Sequence, residues 1–213
     1  MEFEHVGTPE PCMAMNIAEV PDEEHKTIVV AGVPRGGTTM VAAAVHALGV
    51  YMGPKTDLQE FTFEDQAMHS PYPLERLERI GENNSTHDVW GWKDPGAIHP
   101  LKEITYALRN PRVILVFRDM LASVQGERRF DAENGIDRPI DGLIDDVVDR
   151  YATNWDFVKH TQLPTLLVSY ERAIQNREYF LDTLVDFIGV PVSDAQRSCA
   201  LERISPTGGY LKW

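Results

Sequence analysis

Three stretches of the chain are apolar and rich in β-branched residues: TIVVAGV at 27–33, RVILVF at 112–117 and TLLVSY at 165–170. Runs of this length and composition predict strands buried on both faces, as in a parallel sheet. A fourth run, DVWGWK at 88–93, predicts a strand on its aromatic content, with Gly91 as the weak point. Between these runs the period changes. TTMVAAAVHALG at 38–49 is alanine-rich and predicts a helix stopped by Gly49. HPLKEITYALRN at 99–110 sets Leu101, Ile104 and Leu108 on one face and is closed by Asn110-Pro111. Leu143, Val147, Tyr151, Trp155 and Val158 recur at helical spacing over 140–160, and Phe180, Leu184 and Phe187 do so before Gly189. Strands alternating with helices predict an α/β fold: a P-loop-like three-layer α/β/α arrangement around a mostly parallel sheet of about four to five strands, with ligands beyond the strands' C-terminal ends.

Length and charge narrow the picture. With 213 residues, 43% of them hydrophobic, the chain predicts one core, a single domain over 27–213 preceded by a mobile arm at 1–26. The arm is acidic and has no basic start or long apolar run, so it reads as neither signal peptide nor anchor. No run approaches the roughly 20 apolar residues of a membrane helix. A formal net charge of -13 argues against a broad grip on nucleic acid or anionic lipid, so an anionic ligand needs a few local cations. Cys12 and Cys199 stand far apart without partners at metal-ligand spacing. They suggest neither a disulfide framework nor a zinc site, and a reducing, cytoplasmic setting fits.

The chemistry starts at VVAGVPRGGTTM, residues 29–40. A strand, a tight glycine loop and a helix start bring backbone N–H groups and the positive end of a helix dipole together on an anion. Gly36 and Gly37 allow close approach, and the Thr38 and Thr39 hydroxyls add donors. Gly32 and Gly37 keep the spacing of the ATP-binding loop G-x-x-x-x-G-K-[ST], but Thr38 sits where its lysine belongs and the cation has moved to Arg35. That arrangement suits one cradled phosphate with a second charged group beyond it, and does not suit a magnesium triphosphate.

PRGGTT resembles the 5'-phosphosulfate loop of sulfotransferases that use 3'-phosphoadenosine 5'-phosphosulfate (PAPS). The likeness extends over most of residues 27–190. In NPRVILVFRDMLASVQGERRF, Arg118-Asp119 is similar to the family pair whose arginine binds the 3'-phosphate. Gly126 occupies the place of the family serine, and Ser123, one helical turn earlier, is the substitute candidate, with Arg128 and Arg129 as further charge. VWGWKDPG resembles the segment whose lysine lies near the transferring group. Lys93 matches that lysine, whereas Pro95 stands where cytosolic members carry a catalytic histidine. Tyr170-Glu171 and the helix after it resemble a late family segment of architectural role. The C-terminal ERISPTGGYLKW departs from the family, leaving Arg203, Gly208 and Gly209 as lid candidates.

The resemblance implies in-line transfer of a sulfuryl group from PAPS, without a metal, to a hydroxyl, or less readily an amine, of a small-molecule or carbohydrate acceptor. Arg35 and Lys93 would stabilise the developing charge, and a base must take the acceptor's proton. FEDQ at 63–66 is similar to an acidic element of carbohydrate and bacterial members, which puts Glu64 first and Asp65 second as that base. Each is equally explained as a solvated loop carboxylate. His69 lies in the same stretch. His46, in the alanine-rich helix, reads as packed or surface exposed; His99, after the Lys93 segment, could approach the site but is equally explained by a helix N-terminus; His87 and His160 carry no distinguishing context, and Trp90, Trp92 and Trp155 read as core aromatics before stacking surfaces. Residues 51–87 and 126–142 are left for the acceptor wall, and their acidity disfavours a highly anionic polysaccharide. A P-loop kinase with a degenerate loop, or a nucleotide-binding scaffold without a base, are the alternatives. Oligomeric state is open.

Overall fold

The computed structural model describes residues 14–16, 19–21, 23–54, 60–61, 63–205 and 211–212. In chain order the elements are β1 (Ala14–Asn16), β2 (Lys26–Gly32), α1 (Thr38–Ala47), β3 (Glu60–Phe61), α2 (Pro73–Thr86), β4 (Val89–Lys93), α3 (Ile98–Ile104), β5 (Pro111–Phe117), α4 (Met120–Glu133), α5 (Ile140–His160), β6 (Thr165–Ser169), α6 (Tyr170–Gln175), α7 (Arg177–Ile188), α8 (Asp194–Arg203) and β7 (Leu211–Lys212). The four apolar runs are the four parallel strands of one sheet, in the order β6-β5-β2-β4. β1 extends it antiparallel beside β6, so part of the segment read as an arm is an edge strand; most of that arm lies outside the described residues. β3 and β7 form a separate antiparallel pair.

Strand alternation divides the core. Ile28 and Val30 of β2 face the layer of α1, α7 and α8, with Phe180, Leu184 and Ile188 among its buried members. Val29 and Ala31 face the other layer, where Trp90 and Trp92 pack with Ile98, Leu101 and Phe157. Both indoles are core residues, and Trp90 satisfies its N–H by donating to Asn84 Oδ1 at 3.0 Å. Trp155 instead lies half exposed and stacked on Phe117, with ring centroids 4.7 Å apart. The expected three-layer α/β/α architecture is present. Among the described residues no helix is long and apolar enough to cross a membrane.

Two strand-start cations bind the layers together. Arg112, 2% exposed, donates from Nη1 to the carbonyls of Phe187 (2.5 Å) and Ile188 (3.0 Å), and Lys26 donates to that of Gly189. These are the last carbonyls of α7, where a helix ends with unpaired acceptors and negative partial charge. Gly189, at φ 61°, turns the chain out of the helix there.

Candidate functional site

β2 delivers the chain to a loop that only this sequence of small residues allows. A Cβ on Gly36 would lie 2.6 Å from the Val33 carbonyl oxygen, which accepts the Gly36 N–H at 2.9 Å. Gly37 has φ 91°, and a Cβ there would meet the Tyr170 ring at 2.1 Å. Just before them the chain passes Arg35, a non-glycine residue at φ 56°. α1 then starts without a side-chain cap and without an acid in its first turn. Its leading N–H groups have no intrahelical acceptor, and the dipole makes that end positive.

Two guanidinium groups flank this helix start. Arg118, just past the end of β5, donates from Nη1 to the Arg35 carbonyl at 2.6 Å. Its guanidinium lies over the Tyr170 ring, 4.7 Å from the centroid, with Nε 3.8 Å from Glu171. Its backbone is held on both sides by one phenol: the N–H donates to Tyr151 at 3.1 Å, and the Tyr151 hydroxyl donates to the carbonyl. The Arg35 guanidinium stacks on Phe130 at 3.8 Å, with Nε 3.9 Å from Glu127. In both arginines Nε is buried without a hydrogen-bond acceptor. Two guanidinium groups beside an uncapped helix start fit an anion with phosphate oxygens.

These groups open onto one cleft of about 1000 Å³ at the C-terminal end of the parallel strands. Of the sequence-predicted residues it is lined by Arg35, Gly37, Thr38, Thr39, Glu64, Lys93 and Arg118. Arg129, Phe130 and Arg150 also line it, with Phe130 beneath the Arg35 guanidinium. Both regions expected to form the acceptor wall reach the cleft, the first through Glu64 and His69, the second through Gly126, Phe130 and Asn134.

Lys93 ends β4 with its side chain 3% exposed and Nζ hydrogen-bonded to Glu64 Oε1. Burial pushes the ammonium below its ordinary pKa, while the Glu64 carboxylate, and Asp94 beside it, pull it back up. Asp94 accepts the Gly96 N–H at 2.7 Å and lies 3.8 Å from His69 Nδ1. A histidine therefore stands at the cleft although Pro95 fills the position where the resemblance expects one.

Three of the predicted residues stand elsewhere. Ser123 is fully buried one turn inside α4, where its hydroxyl donates to the Asp119 carbonyl at 3.2 Å; it does not line the cleft. Asp65, 2% exposed, turns away from Glu64 to accept the Ala67 N–H and to face Arg79 Nε at 3.2 Å. Gly36 spends its N–H on Val33 and shapes the loop without lining the cleft. Gly126, which lines the cleft in place of the family serine, packs against Arg35: a Cβ there would lie 2.7 Å from Arg35 Cβ. Arg203 ends α8 away from the cleft, and Gly208 and Gly209 lie outside the described residues.

Sequence reasoning missed Tyr151 of α5, which holds the Arg118 backbone, and Phe130 and Glu127 of α4, which meet the Arg35 guanidinium, and it took Tyr170-Glu171 as architectural. Tyr170 lines the cleft while wedged on Gly37, and Glu171 accepts the Asp119 N–H at 3.1 Å.

No protein-family model matches the chain, and no curated protein does. Solved structures do match. The sulfotransferase domain from the Synechococcus PCC 7002 olefin synthase aligns with a TM-score of 0.55 and 15% identity, covering 84% of this chain and 79% of that one. The sulfotransferase domain from the curacin biosynthetic pathway aligns with a TM-score of 0.59 and 12% identity, covering 81% of this chain and 76% of that one. The likeness is one of fold: the chain has the fold of these sulfotransferase domains.

Proposed function

We propose that this chain is a PAPS-dependent sulfotransferase, moving a sulfuryl group to a hydroxyl, less readily an amine, of a small-molecule or carbohydrate acceptor. The observation that carries the reading is the uncapped start of α1 placed on one cleft with the guanidinium groups of Arg35 and Arg118. An anion with two phosphates matches a helix start and two guanidinium groups on the same cleft. The N–H groups of the helix start, with the Thr38 and Thr39 hydroxyls, take the 5'-phosphate, and Arg118 takes the 3'-phosphate. PAPS supplies the activated sulfuryl group. Arg35 and Lys93 stabilise the charge that develops on the sulfuryl and bridging oxygens, and no metal is required for that. Glu64, across the Lys93 ammonium, is the base for the acceptor's proton.

Thr38, standing where an ATP-binding loop has lysine, disfavours the kinase reading. The two-cysteine composition supports a cytoplasmic setting for the reaction. The test is calorimetric titration of 3'-phosphoadenosine 5'-phosphate (PAP) beside ATP with magnesium, on the wild type and on Arg118→Ala. Binding of the bisphosphate that the mutation weakens by roughly tenfold to a hundredfold is the expected result. Preferential binding of magnesium ATP overturns the reading, and binding of PAP without turnover on an acceptor panel leaves a nucleotide-binding scaffold.

A further inference from the structure

We propose that Glu64 is a removable counter-ion for Lys93: the arriving sulfuryl group takes its place, and the carboxylate becomes free to act as base only once the donor is bound. The inference rests on the donor reading above and adds an order of events to it.

The two halves of the ion pair differ in freedom. Lys93 is locked at the end of a core strand with its side chain 3% exposed, whereas the Glu64 side chain is 38% exposed. The backbone carrying Glu64 is fixed on both sides. Phe63 is fully buried and its carbonyl accepts the Lys93 N–H at 2.9 Å, while Asp65 is held by Ala67 N and Arg79. Glu64 has Lys93 as its partner among the described residues, so a change of its rotamer alone breaks the pair.

Charge balance dictates when that happens. A buried ammonium without a counter-ion is costly, and burial already works against this one. In water alone the carboxylate stays. A sulfuryl group held beyond the 5'-phosphate brings anionic oxygens to the same ammonium, so Lys93 exchanges one counter-ion for another and is never left bare. Arg35 and Asp94, which also act on the ammonium, are present in both states.

The released carboxylate then takes the hydroxyl proton of the acceptor as the acceptor oxygen bonds to sulfur. The bond from sulfur to the bridging oxygen of the 5'-phosphate breaks, and its electron pair leaves on the bisphosphate. The proton passes to water, and the carboxylate returns to Lys93 as the bisphosphate departs. The acceptor meets a competent base only after the donor is seated, which makes the addition donor-first.

The experiment compares the affinities of PAPS and PAP, without acceptor, for the wild type, Glu64→Gln, Lys93→Met and the double variant, each checked for folding by its melting temperature. PAP lacks the sulfuryl group and does not need the exchange. Glu64→Gln is expected to tighten PAPS on the order of tenfold, the size of one charge-assisted contact, with PAP unchanged. In the Lys93→Met background the same substitution is expected to do nothing. An unchanged ratio of PAPS to PAP affinity in Glu64→Gln overturns the exchange, as does a tightening that persists without Lys93. If the wild type binds neither nucleotide, the donor reading itself falls; binding of both with an unaltered ratio removes only the exchange.

Discussion

Arg118 Nη1 donates to the backbone carbonyl of Arg35 at 2.6 Å, so the end of β5 and the glycine loop after β2 are held as one unit. The contact spans adjacent parallel strands and fixes the spacing of the two guanidinium groups in the cleft.

Removing Arg118 therefore also releases the glycine loop at the Arg35 carbonyl. Arg118→Ala is expected to weaken PAP by roughly tenfold to a hundredfold, the loss of one or two charge-assisted hydrogen bonds. Arg118→Lys should recover only part of it, because an ammonium cannot bond the Arg35 carbonyl and a phosphate in the same fork geometry. Calorimetry on the two variants checks this, and full recovery by lysine would show that charge alone matters.

Restoring the family serine is expected to harm the site. Gly126→Ser puts a Cβ where Arg35 Cβ lies 2.7 Å away, within the stack of Arg35 on Phe130. PAP affinity should fall despite the added hydroxyl. A gain in affinity would mean that Arg35 moves aside freely.

Gly37→Ala tests the loop as a stability element. The substitution meets both a φ of 91° and the Tyr170 ring. A loss of about 1–3 kcal/mol or more in urea unfolding is expected, with donor binding abolished. A variant with the wild-type melting temperature would show that Tyr170 is not wedged there.

Lys93 should leave a mark on the pH dependence of stability. Burial holds its folded pKa below the ordinary 10.5, so between the folded value and 10.5 the unfolded chain binds the extra proton. Stability at this position rises with pH through that window and is level on either side. Urea unfolding of the wild type should accordingly gain on Lys93→Met as pH is raised toward 10.5. Glu64→Gln, which removes the carboxylate supporting the charge, should start the rise at lower pH. A difference that does not change with pH contradicts the burial effect.

Arg112→Ala should unfold more easily by about 3 kcal/mol, since the Phe187 and Ile188 carbonyls lose their buried donor. Donor affinity should hold, because Arg112 lies at the opposite end of β5 from Arg118.

The sheet was legible because its strands are buried on both faces and their apolar runs are unbroken. α5 and α7 carried apolar periodicity, and α1 its alanine content and the Gly49 stop, and they were equally plain. α2 was not: PLERLERIGENNST is mostly polar and buries only Ile80 and Asn83. α8 announced itself only by its Ser193/Gln196 capping box, a signal the apolar pattern does not contain. That the glycine loop, Lys93 and Arg118 line one cleft was readable because strand ends put them there. Ser123 was misplaced because helical spacing alone does not tell which way α4 is rotated. Asp65 was misplaced because adjacent loop carboxylates point in different directions, and Arg79, its partner, comes from α2, which sequence reasoning had not seen.

Past the last ladder position of β5, a chain leaving a sheet has backbone groups with no neighbouring strand to pair with. At Arg118 one phenol oxygen serves both the N–H and the carbonyl, and at Asp119 a carboxylate serves the next N–H. Side chains of α5 and α6 there replace a continued ladder. The chain can leave the sheet at that point without a polar seam left unsatisfied, and it does so on the rim of the cleft that Arg118 lines.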